Sequence, residues 1–111
     1  MSSQNVTEPN WDDLPRHIHD LERKGVVTRT FRRLDPERQE EVVNAILEEA
    51  AEKGPASLNI KQVAERAKAS IGSLYQYFGS REGLLRFAIH LVVRTVISLF
   101  KLSVKKGSDD F

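Results

Sequence analysis

A chain of 111 residues, 40% apolar and 30% charged, is long enough for one folded domain with a modest core and too short for two ordinary ones. It contains no cysteine, which excludes disulfide staples and thiolate metal sites, and with no signal peptide visible the expected location is cytoplasmic. The formal charge of +1 conceals an asymmetry: residues 35–54 carry seven acids and two bases, whereas residues 59–81 carry Lys61, Arg66, Lys68 and Arg81 against Glu65 alone, so one local face is basic.

Residues 1–10 (MSSQNVTEPN) are polar and without periodicity, and are expected to be disordered. Asp13 is placed to cap a short helix with Pro15 in its first turn, Ile18 and Leu21 as its apolar face and Gly25 at its end. Within it, His17-x-His19-Asp20 has too few ligands, splayed by their spacing, for a metal site, so a surface or packing role is expected. Val26 to Leu34 (VVTRTFRRL) reads either as an extended arm or as the lead-in to the next helix.

Asp35-Pro36-Glu37 starts that helix with a capping carboxylate, a proline at the first position and an acid near the positive end of the dipole. It runs to Lys53 with Val42, Val43, Ile46, Leu47 and Ala50 as its apolar stripe, and Gly54-Pro55 stops it. Asn59 caps a two-turn helix, Ile60 to Ala67, in which Ile60, Val63, Ala64 and Ala67 recur at helical spacing. Lys68-Ala69 forms a tight turn, Ser70 caps a third helix to Phe78, and Gly79-Ser80 ends it and caps a fourth from Arg81. In ASIGSLYQYFGSR (69–81), Leu74 and Phe78 share an inward stripe, while Ser73, Gln76 and Tyr77 are assigned to other faces.

The apolar run FAIHLVVRTVISLFKLSV (87–104) is interrupted by His90, Arg94 and Lys101, and is expected to be a buried helix of a soluble protein, with no membrane partner. Its apolar residues, from Leu84 to Phe100, cover more than one face, an excess that predicts a homodimer or a further domain. The expected fold is therefore all-α, a helical bundle with an N-terminal extension (1–34), a helix-turn-helix region of homeodomain-like type (35–86) and a long apolar fourth helix leading out of it (87–111).

Two short helices joined by a three- to four-residue turn, with the small Ala64 at their crossing, form a helix-turn-helix pattern. In such a unit the second helix enters the DNA major groove with its N-terminal residues on base edges. Ser70, Ile71, Ser73 and Gln76 are the expected readers: glutamine pairs with adenine, serine serves several bases, and isoleucine packs on a thymine methyl. Gly72 permits close backbone approach. Arg29, Arg32 and Arg33 either enter the minor groove as an arm or serve solubility.

Val42 to Leu85 resembles the DNA-binding domain of the TetR (tetracycline-repressor-like) family of transcriptional regulators, through VAERAKASIGSLYQYFGSREGLL (63–85) and the preceding helix ending EKG (52–54). The resemblance implies that Tyr75 and Tyr77 contact DNA, and that Arg81 holds a phosphate with the start of the fourth helix. The expected DNA-binding set is Asn59, Lys61, Lys68, Ser70, Ile71, Gly72, Ser73, Tyr75, Gln76, Tyr77 and Arg81. Lys68 stands where the family usually has glycine, Ala50 where it has a large aromatic, and Ile71 where a base is frequent. Family members continue into a helical domain that dimerises and binds a small effector, so the resemblance implies a fragment or a reduced member, with an effector only if such a domain exists.

The expected function is that of a sequence-specific regulator, a repressor reading a palindromic operator in double-stranded DNA through helix 70–78. The alternative is a helical protein–protein interaction module that keeps the regulator's fold. No Ser-His-acid set, glycine-rich phosphate loop or close carboxylate pair supports an enzyme, and no cofactor is expected.

Overall fold

The computed structural model describes residues 14–108, with side chains through Lys101. The described residues form α1 (Leu14–Arg23), α2 (Arg29–Arg32), α3 (Pro36–Lys53), a 3-10 turn (Pro55–Ser57), α4 (Ile60–Ala67), α5 (Ile71–Phe78) and α6 (Arg81–Ser108). No strand occurs among them, and the all-α expectation holds.

Local chemistry sets most of the boundaries. Asn59 Oδ1 accepts from the Gln62 amide at 3.1 Å, Ser70 Oγ from the Ser73 amide at 3.0 Å and Ser80 Oγ from the Gly83 amide at 3.1 Å, so α4, α5 and α6 each begin on a side-chain cap. Asp35 departs from expectation: Pro36 opens α3, but the Asp35 carboxylate makes no capping bond, and only its carbonyl is used, by the Gln39 amide at 2.9 Å. The Asp13 cap lies outside the described residues. Gly54 ends α3 at φ 88°, a conformation that glycine adopts without steric cost.

One core unites all the helices. Leu14, Ile18 and Leu21 of α1 pack with Val26, Val27 and Phe31, with the α3 stripe, and with Leu84, Phe87, Ala88 and Leu91 of α6. Phe31 is fully buried, its ring centroid 5.1 Å from that of Phe78, 5.6 Å from Tyr77 and 5.7 Å from Phe87. Of the two readings of Val26 to Leu34, the helical lead-in is the one found. Phe31 buries its ring in the bundle, so this segment packs against the core instead of extending from it.

Glu49 is a buried carboxylate that the sequence reading passed over. It is 0% exposed and receives Lys53 Nζ at 3.1 Å, Arg66 Nε at 3.2 Å and the Asn59 amide at 3.3 Å, tying α3 to the first and last turns of α4. Burial pushes its carboxyl upward, but the bonds from Lys53 and Asn59, with the charges of Lys53 and Arg66, outweigh this and leave it below the ordinary glutamate value of 4.5.

The expectation of a buried α6 is met only in its first half. Leu84, Phe87, Ala88 and Leu91 are core, whereas Ile89, Val93, Val96, Ile97, Leu99 and Phe100 are exposed, the last by 66%. By length and composition Arg81–Lys101 is apolar enough to cross a membrane, yet its first turns are committed to the bundle.

Candidate nucleic-acid interface

The helix pair α4 and α5 is joined by Lys68, Ala69 and Ser70. Ala64 and Ala67 are buried, and the Ala69 amide donates to the Ala64 carbonyl at 2.9 Å, so small side chains let the turn close on α4. Lys68 sits in the left-handed region at φ 56°, ψ 45°, where a residue with a Cβ costs about 1 kcal/mol relative to glycine. Lys68 takes this conformation without being glycine, and other contacts offset the strain.

Helix α5 presents Ile71 (41% exposed), Gly72, Tyr75 (38% exposed) and Gln76 to solvent, with Ser73 half-buried. Leu74 and Phe78 face inward as expected. Tyr77 is a correction: it is only 8% exposed, its ring against Phe31 and edge-on to Phe78, so it belongs to the core and leaves the set of outward residues. The helical period explains this, because Tyr77 lies three residues from Leu74 and therefore on its side of the helix.

The hydroxyl of Ser70 accepts from the Ser73 amide and donates to Ser73 Oγ at 3.0 Å. Ser70 is thereby occupied as a cap, and Ser73 keeps its own O–H to donate outward. A Cβ on Gly72 would meet only Ser70 Oγ, at 3.8 Å, so nothing inside the fold demands glycine there. Gly83, which the sequence reading missed, is the opposite case: a Cβ there would run into the Phe78 carbonyl, and the close approach joins the start of α6 to the end of α5.

Around α5 the structure leaves cations available. Lys61 on the first turn of α4, Lys68 in the turn and Arg81 at the start of α6 are exposed, and among the described residues none meets a carboxylate within 4 Å. Arg66 is instead spent on Glu48, Glu49 and Glu52 at 2.9 to 3.3 Å. Asn59 is exposed, but its carbonyl oxygen serves the α4 cap. Arg29 and Arg33 are exposed, while Arg32 is paired with Glu22 and fixed in α2.

His17 and His19 do not converge. His19 is exposed and His17 half-buried, its Nε2 without a partner. Burial lowers the His17 pKa, and Arg94 and His90 push it the same way.

Residues 42–87 match the sequence model of the family described as bacterial regulatory proteins, tetR family. The chain is 40% identical over 60 residues, half of its length and 32% of the relative's, to the HTH-type transcriptional repressor Rv3405c of Mycobacterium tuberculosis. It is 35% identical over 72 residues, 65% of its length and 31% of the relative's, to the HTH-type transcriptional regulator HbdR of an Aromatoleum species. To the HTH-type transcriptional regulator BetI 1 of Chromohalobacter salexigens it is 33% identical over 60 residues, 54% of its length and 30% of the relative's. The chain thus spans about a third of the length of the curated relatives it matches. No solved structure matches it significantly. The helix pair, its capped turn and the outward residues of α5 all fall inside the matched segment, so it is residues 42–87 that carry the likeness to the tetR family of bacterial regulatory proteins.

Proposed function

We propose that this chain binds double-stranded DNA as a transcriptional regulator, with α5 in the major groove, and that it acts as a repressor at a palindromic operator. The observation that carries the reading is the composition of the exposed side of α5. Ile71, Gly72, Ser73, Tyr75 and Gln76 combine an apolar contact, a bare backbone and hydrogen-bonding groups on a helix whose other side is locked into the core. Ile71, Ser73 and Gln76 reach base edges, while Tyr75, Lys61, Lys68 and Arg81 hold phosphates. The exposed side of α6 from Val93 to Phe100 pairs two copies, setting two α5 helices about 34 to 36 Å apart, one helical turn of DNA. The protein works in the cytoplasm, and a small effector acts on it only if the whole protein has a C-terminal domain.

The test is selection of bound sequences from random duplexes, followed by titration at several salt concentrations. Enrichment of an inverted repeat, with affinity falling steeply as salt rises, is the expected result. The competing reading, a protein–protein module, is favoured by the exposed apolar side of α6. It predicts no enrichment and a flat salt response, which would overturn the proposal.

A further inference from the structure

Resting on that DNA reading, we infer that Thr28 and Arg38, both outside the matched segment 42–87, are positioning residues, Thr28 holding the C-terminal end of the reading helix α5 and Arg38 the turn that leads into it. Helix α5 has eight residues, about 12 Å of helix, and its last carbonyls have no partner within it. Thr28 supplies them. Its Oγ1 donates to the Gln76 carbonyl at 2.6 Å and the Tyr77 carbonyl at 2.9 Å, and its amide also donates to Tyr77 at 2.9 Å. A hydroxyl has one hydrogen, so Oγ1 shares it between the two carbonyls. Thr28 is itself immobilised, because it caps α2 and is flanked by the buried Val27 and, three residues on, Phe31.

At the other end, the turn that aims α5 is held from α3. Arg38 Nη1 donates to the Ala67 carbonyl at 2.6 Å and Nη2 to the Lys68 carbonyl at 3.2 Å, while Glu41 at 2.8 Å orients the guanidinium. The planar fork of arginine can span two successive carbonyls, which a lysine ammonium cannot match in geometry. It therefore fixes Lys68 in the left-handed conformation that the turn needs and that glycine would take unaided. Both residues bond backbone carbonyls and leave the side chains of α5 free. Their loss should degrade discrimination between sequences while leaving phosphate contacts in place.

The experiment uses the whole 111-residue chain with Thr28→Val, Thr28→Ser, Arg38→Lys and Arg38→Gln. Two readouts are taken: the ratio of affinities for a selected and a scrambled duplex across salt, and hydrogen exchange of the amides at 74–79 relative to those of α3 without DNA. Thr28→Val and Arg38→Lys should each lower the affinity ratio about three- to tenfold, the worth of one or two hydrogen bonds, and speed exchange selectively in α5. Thr28→Ser should restore both readouts, and Lys68→Gly should recover part of the loss in the Arg38→Lys background. Unchanged exchange in α5 overturns the positioning role. A salt slope shallower by about one unit in Arg38→Gln overturns it for Arg38 by making it a phosphate contact. Selective exchange changes in a chain without sequence preference would keep the hold on α5 and its turn and sink the DNA reading instead.

Discussion

Phe31 lies eleven residues before the matched segment, yet it occupies the centre of the aromatic cluster. Replacing it by alanine removes a fully buried ring from contact with Tyr77, Phe78 and Phe87. Burial and cavity formation together cost about 3 to 5 kcal/mol for Phe→Ala, and ring pairing of about 0.5 to 1.5 kcal/mol per contact places this site toward the upper end. Against a total stability of about 5 to 15 kcal/mol, the loss leaves the bundle marginal. Phe31→Leu keeps most of the volume and should cost about 1.5 kcal/mol. Urea unfolding followed by circular dichroism measures both. With a slope near 2 kcal/mol per molar, Phe31→Ala should lower the midpoint by roughly 2 M, and Phe31→Leu by less than about 1 M. A shift below about 0.5 M for the alanine variant would show that residues 14–34 are not part of the cooperative core, and the packing argument would fail.

Gly72→Ala should raise stability by about 0.5 to 1 kcal/mol, since the site is helical and open, yet weaken duplex binding; a variant that binds as well as the parent would remove the close backbone approach. Lys68→Gly should stabilise by about 1 kcal/mol in thermal melts, and no gain would contradict the left-handed cost assigned to Lys68. The depressed carboxyl of Glu49 contributes stability that is complete above the ordinary value of 4.5 and is lost as pH falls from there through the folded value. The melting-temperature gap between the parent and Glu49→Gln should accordingly narrow below that pH, and a constant gap from about pH 7 to about pH 3 would contradict the assignment. Val93→Lys and Ile97→Lys should abolish self-association in sedimentation at several concentrations while leaving the melt intact; a monomeric parent would refute the pairing surface.

The parts of this fold that the sequence disclosed are those governed by neighbours a few residues apart. Asn59, Ser70 and Ser80 cap helices because a short polar side chain reaches an amide three residues on, and that geometry needs no knowledge of the rest of the chain. Asp35 shows the limit: the residue type fits, but whether its carboxylate turns inward is not a local property. Tyr77 was misplaced although spacing alone puts it beside Leu74, and what covers it is Phe31, from a segment whose pattern left two readings open. Glu49 sat in an acidic run that reads as a solvated face. Its position three residues from Ile46, on the buried stripe, was the available signal, while its partner Arg66 is seventeen residues away and becomes visible only in three dimensions. The outward placement of Ile71, Tyr75 and Gln76 was legible because the core residues of α5 fixed the opposite side.

The placement of the two tyrosines turns α5 into its own reporter. The chain contains only Tyr75 and Tyr77, both on that helix, one wet and one in the core. With tyrosine alone isotopically labelled, every ring resonance in an NMR spectrum comes from the helix proposed to face the duplex. The Tyr75 ring, free on one side, should turn over rapidly and respond to whatever is laid against the surface. The Tyr77 ring, between Phe31 and Phe78, should respond only to repacking beneath it. A titration that moves the first signal and spares the second is docking onto a rigid helix; one that moves both is a rearrangement of the helix itself.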